Sequence, residues 1–153
     1  MRGRILAALV PALLLSACGG PEVPLEELRQ QAENGACVLS VDADVEAGRD
    51  TWMGFYEAAQ AGEDAEVTLV YWYHGDPHGH SRQDSCYTNR LSFEEGVYTL
   101  VAEGAENEIV LEQYACLLRF EEEPDTDSGA AYQKMIAYVL ADDADLTWRE
   151  VVG

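Results

Sequence analysis

The chain is short of positive charge. Lys134 is its single lysine, and nine basic residues stand against 29 acidic ones in a chain of 153, for a net charge of −20. A surface of that sign repels phosphate backbones, which argues against nucleic acid as a partner and against a basic membrane-binding face. Hydrolytic signatures are missing as well. There is no G-x-S-x-G, H-E-x-x-H or S-x-x-K, and no glycine-rich phosphate loop. The four cysteines include no C-x-x-C pair, so neither a redox motif nor a zinc knuckle is indicated. Repeats and low-complexity tracts are absent too. What remains is a chain with 48% apolar residues, long enough for one core and too short for two.

The N-terminus carries an address. Arg2 and Arg4 form a positive start, and Ile5 to Leu15 is an apolar run of signal-peptide length, too short to span a bilayer as a helix. It ends in Leu15-Ser16-Ala17-Cys18, then Gly19-Gly20. Small residues before a cleavage point fit the narrow pocket of a signal peptidase. A cysteine directly after them resembles the lipobox of bacterial lipoproteins. That resemblance implies diacylglyceryl transfer to the Cys18 sulfur and cleavage before it. Two or more acyl chains would give a stable anchor where one is marginal. The expected organisation is a signal peptide over 1–17, a tether over 18–35 and a single domain over 36–153. The expected location is the extracytoplasmic face of the cell membrane. Cleavage discards Arg2 and Arg4 and no acid, so the mature chain is more acidic still. With Cys18 used by lipid, an oxidising compartment allows one disulfide among Cys37, Cys86 and Cys116, in any of three pairings. Three buried free thiols are the alternative.

Along the rest of the chain, apolar periodicity outlines the elements. Pro24 can start a short helix over Leu25 to Glu33, with Leu25, Leu28 and Ala32 on one side and Gly35 ending it. Cys37 to Val41 predicts a short strand. Trp52, Phe55, Tyr56 and Ala59 fall on one helical face, with Asp50 as the expected N-cap and Gly62 as the stop. Gly54 inside that helix suggests a close helix–sheet approach. Val67 to Tyr73 is apolar on both faces and rich in β-branched and aromatic residues, which predicts a central strand. Strands are expected over Cys86–Phe93, Val97–Ala102 and Glu108–Phe120. In the last of these, Ile109, Leu111, Ala115 and Leu117 would share a face. Ala131 to Leu140 fits strand or helix, with strand favoured. Thr147 caps a terminal helix. The fold class expected is α+β, with one main helix packed on a mostly antiparallel meander of about five to six strands.

The helix Asp50-Thr51-Trp52-Met53-Gly54-Phe55-Tyr56, the strand Val67 to Tyr73, the turn Gly75-Asp76-Pro77 and the closing Tyr138-Val139-Leu140-Ala141-Asp142-Asp143 follow one another behind a lipobox. In that order they resemble small lipoproteins of Gram-positive bacteria known only as domains of unknown function. The resemblance implies a one-membrane host and a surface-anchored α+β domain. It implies no activity and transfers no site residue.

Candidate chemistry gathers in one turn. All three histidines lie in His74-Gly75-Asp76-Pro77-His78-Gly79-His80, and imidazoles on a Gly/Pro turn can converge on a divalent metal such as zinc. His74, Asp76, His78 and His80 are thus the candidate ligands; a solvated hairpin loop explains them equally. Asp125-Thr126-Asp127-Ser128-Gly129 starts like a calcium loop but lacks its later ligands, with Ala130 and Ile136 where glycine and glutamate are needed. Ser81 or Ser85 with His80 and Asp84 has triad composition, yet sequence neighbours on a strand point to opposite faces. The acidic clusters Asp42-Asp44-Glu46, Glu121-Glu122-Glu123 and Asp142-Asp143-Asp145 suit solvated loops and strand edges. Tyrosines and tryptophans of the sheet are core, or line a ligand surface where a face stays open. The function this supports is a lipid-anchored, non-enzymatic binding domain for a basic protein or cell-wall component, requiring no cofactor. The alternative is a metal-binding lipoprotein using the histidine turn.

Overall fold

The computed structural model describes residues 22–75, 83–103, 109–122 and 135–152. Its elements run α1 (Leu25–Glu33), β1 (Val38–Val41), β2 (Asp44–Ala47), α2 (Arg49–Gln60), β3 (Ala65–Tyr73), β4 (Ser85–Glu94), β5 (Val97–Glu103), β6 (Ile109–Tyr114), β7 (Cys116–Glu122), β8 (Met135–Ala141) and α3 (Trp148–Val152). The class is α+β. Six strands form one sheet in the order β2-β1-β3-β4-β5-β6, and β7-β8 form a separate two-stranded sheet.

The main sheet is mixed, which corrects the simple meander. β1 and β3 run parallel, Val38 beside Leu69 through Val41 beside Trp72, because β2 returns the chain to the start of β1 and α2 then crosses from there to β3. The remaining pairs are antiparallel, and β3–β4–β5–β6 is the meander the sequence predicts. β2 was not foreseen. It pairs with β1 through a two-residue turn, Asp42-Ala43, in which both residues have positive φ (49° and 73°). That is the mirror-image turn whose twist suits a tight hairpin.

Alternation along the strands splits the core in two. Val38 and Val67 face α2, where Phe55 and Ala59 pack on them together with Leu91, Phe93 and Tyr98. Leu39, Val70 and Trp72 face the other way, onto Leu28 and Ala32 of α1. A central strand covered on both faces is therefore mostly apolar, as β3 is from Leu69 to Tyr73. Burial of α1 also corrects the tether. Leu28 is only 1% exposed, so residues 25–33 belong to the domain.

Three local expectations change. The N-cap of α2 is Gly48, at φ 86°, and Asp50 lies inside the first turn, where its charge complements the helix dipole. Gly54 marks no close approach, because a Cβ there would meet nothing within 4 Å. The long strand over Glu108–Phe120 is two strands broken at Ala115. β6 stays on β5, while β7 pairs with β8 from Cys116 beside Ala141 to Glu122 beside Met135. Ala115 is exposed and Leu117 buried, so the two do not share a face. A methyl group offers too little apolar area to hold the chain flat through that point.

Candidate functional site

His74 stands at the end of β3, and its partner comes from a segment 32 residues earlier. The Asp42 carboxylate accepts the His74 backbone N–H at 2.9 Å and lies 2.7 Å from its Nδ1. Asp42 is placed by the parallel register, one residue past Val41 opposite Trp72, and its own N–H donates to the Trp72 carbonyl at 2.8 Å. On the other side of the same turn, Asp84 Oδ1 accepts the Gly75 N–H at 3.1 Å and the Ser85 hydroxyl donates to the Gly75 carbonyl at 3.4 Å. Asp84 and Ser85 thus hold the base of the turn. His78, His80, Asp76 and Ser81 lie outside the described residues. Among the described residues, no group of three or more His, Cys, Asp or Glu side chains gathers to hold a metal ion.

The hydrogen bond from Asp42 raises the His74 pKa above the usual histidine value, and the same bond, with that of the His74 amide, lowers Asp42. The charged pair therefore strengthens the folded state only inside a window. It is lost as pH rises through the elevated His74 pKa and as pH falls through the depressed Asp42 pKa. In an NMR titration His74 should titrate above about 6.5, the ordinary histidine value. Asp42→Asn should move it back toward that value; an unchanged midpoint would remove Asp42 as the cause.

Of the two alternatives left open, one disulfide or three free thiols, the second holds in this structure: Cys37, Cys86 and Cys116 are free thiols. Topology gives the reason. Cys37 precedes β1 and Cys86 sits on β4, with β3 between them, about 10 Å across two strand spacings. A disulfide needs Cα atoms within about 7 Å. Cys116 belongs to the other sheet, with its Sγ 2.9 Å from the Ala141 carbonyl. Burial pushes the Cys86 thiol up to about 11, with the nearby Cys37 adding to it, and burial raises Cys37 and Cys116 as well. Thiols held protonated are poor nucleophiles.

The acidic clusters are partly spent on local structure. Glu46 of β2 pairs with Arg29 of α1, Glu121 with Arg119, and Asp143 caps the Asp145 N–H at 2.9 Å. At the terminal helix, Glu150 accepts both the Thr147 N–H and its hydroxyl, which lowers the Glu150 pKa. That is the glutamate half of a capping box.

The aromatic set divides between core and surface. Trp52 and Tyr56 of α2 meet Tyr138 of β8 edge-on, at ring distances of 5.0 and 5.2 Å. Trp72 and Tyr98 are buried. Tyr71, Tyr73 and Tyr87 differ. They continue the α2 side of β3 and β4 past Leu69 and Leu91, with Tyr71 beside Tyr87 and Tyr73 beside Ser85. Tyr73 and Tyr87 touch edge-to-face at 6.2 Å, and Tyr87 is 49% exposed. The sequence placed any open tyrosines on a face without a helix. Both faces carry one, and the exposed ring lies beyond the residues that pack on α2.

Comparison with protein-family models, curated proteins and solved structures finds no match for this chain. The class defined by the coordinates is an α+β domain on a mixed six-stranded sheet. No helix among the described residues is long and apolar enough to cross a membrane.

Proposed function

We propose that the protein is a lipid-anchored extracytoplasmic binding domain without enzymatic activity, held to the membrane through Cys18. The observation that carries this reading is the run Leu15-Ser16-Ala17-Cys18 behind a basic start and a short apolar segment. The raised thiols and the structural employment of Asp84 and Ser85 support the non-enzymatic part. Intact mass of protein from the membrane fraction should begin at Cys18 and carry acyl chains. Cys18→Ser should abolish both acylation and cleavage before residue 18, leaving a precursor that still carries residues 1–17. Wild-type protein without lipid would overturn the reading.

A second reading, metal binding by the histidine turn, is favoured by the Asp42–His74 contact. A carboxylate on Nδ1 fixes the imidazole and leaves Nε2 for a ligand, the usual arrangement around a metal-bound histidine. Calorimetric titration with zinc tests it: micromolar binding lost in a His78→Ala, His80→Ala double variant supports the metal, and weaker binding removes it.

A further inference from the structure

The tyrosine end of the sheet has the chemistry of a cation site. Strand pairing sets Tyr71, Tyr73 and Tyr87 on one face of two adjacent strands, and Tyr87 is the most exposed of the large apolar side chains described. The Tyr73 and Tyr87 rings are inclined at 65°, so the pair offers a ring face beside a ring edge. Two carboxylates belong to the same end. Asp84 immediately precedes Ser85, which pairs with Tyr73, and Asp42 immediately follows Val41, which pairs with Trp72. An aromatic face draws cations through its quadrupole, arginine most of all because its flat guanidinium also stacks.

Resting on the proposed binding role, we infer that this face, centred on Tyr87 and Tyr73 with Asp84 at the same end of the sheet, docks an arginine-bearing segment of a basic partner protein. Charge selects the partner: a chain at −20 repels anions and attracts a basic segment. Ring geometry selects against glycans. Sugars stack best on a broad coplanar platform, and these rings are inclined. A groove of about 420 Å³ between Asn34–Gly35 and Glu46–Thr51 lies at the start of α2, away from these tyrosines. An open sheet face without such enclosure suits an extended protein surface.

The test uses the full chain in detergent and a short synthetic peptide of alternating arginine and glycine, with a glutamine-for-arginine peptide as reference. Anisotropy at near-physiological salt should show the arginine peptide bound and the glutamine peptide unbound. Tyr87→Ala should weaken binding about fivefold or more, while Tyr87→Phe, which keeps the ring, should stay within about twofold. Asp84→Asn keeps an acceptor for Gly75 and should weaken binding to a similar degree. Glu63→Gln, an exposed acid in the turn before β3, controls for general attraction and should change nothing. Equal binding by wild type and Tyr87→Ala would overturn the site while leaving a binding domain in place. No preference for arginine over glutamine would overturn both the site and the basic partner. Capture of a neutral chito-oligosaccharide that is lost in Tyr87→Ala would reassign the face to glycan. Membrane attachment through Cys18 is read separately by mass and is untouched by any of these results.

Discussion

Gly48→Ala is expected to destabilise the domain by about 3 kcal/mol or more, a large share of the about 5–15 kcal/mol that an ordinary domain has. Two costs add. Gly48 sits at φ 86°, where an L side chain pays about 1–2 kcal/mol. A Cβ there would also overlap the Cys37 carbonyl oxygen and come within 2.9 Å of Val38 Cα. Those atoms are backbone, at the start of a strand paired on both sides, so they have nowhere to move. The natural control lies six residues on. Gly54 is exposed, helical and free of neighbours, so Gly54→Ala should gain up to about 1 kcal/mol from helix propensity alone. Urea unfolding of the two variants should thus give opposite signs for one chemical change in one helix. Similar midpoints would mean that α2 does not start against β1 as described.

Leu28→Ala should cost about 3 kcal/mol, the middle of the range for emptying a buried leucine site. Leu28 packs with Leu39, Val70 and Trp72 on the face of the sheet opposite α2. Leu25, only partly buried on the same helix, should cost markedly less when cut to alanine. Removing residues 18–33 altogether should expose that face and leave a chain that melts without cooperativity. If the truncated chain melts like the intact one, α1 is an appendage and the original tether over 18–35 is restored.

How far the sequence could be read depended on the kind of signal. β3 was legible because a strand covered on both faces is apolar at nearly every position, and Val67 to Tyr73 is apolar apart from Thr68. Both longer helices were legible from spacing, Leu28 with Ala32 and Phe55 with Ala59. β2 was hidden because it is four residues long and Asp44, Val45 and Glu46 are all exposed, too short a run for its alternation to be detected. The break at Ala115 was hidden because no glycine or proline marks it. The parallel pairing of β1 with β3 follows from the crossover through α2, which local pattern does not encode. The same pairing hid the best-defined polar contact. Asp42 looked like one acid in a cluster, and only the register that sets Val41 beside Trp72 brings it to His74. Of the proposed metal ligands His74 alone lies among the described residues, so the turn's chemistry rests on sequence.

If the proposed anchor at Cys18 holds, the docking of α1 has a mechanical consequence. Were all of residues 18–35 free, the leash could extend about 60 Å at full stretch. With Leu25–Glu33 locked onto the sheet and Val23 packed beside it, no more than residues 18–22 would be left as leash, about 18 Å at most. The domain then sweeps a shallow hemisphere pressed close above the lipid headgroups. Anything it meets must come down to that layer or be embedded in it, and encounters depend on lateral diffusion in two dimensions more than on capture from the medium. A single buried leucine, by fixing where the chain stops being string, sets the height at which the protein works.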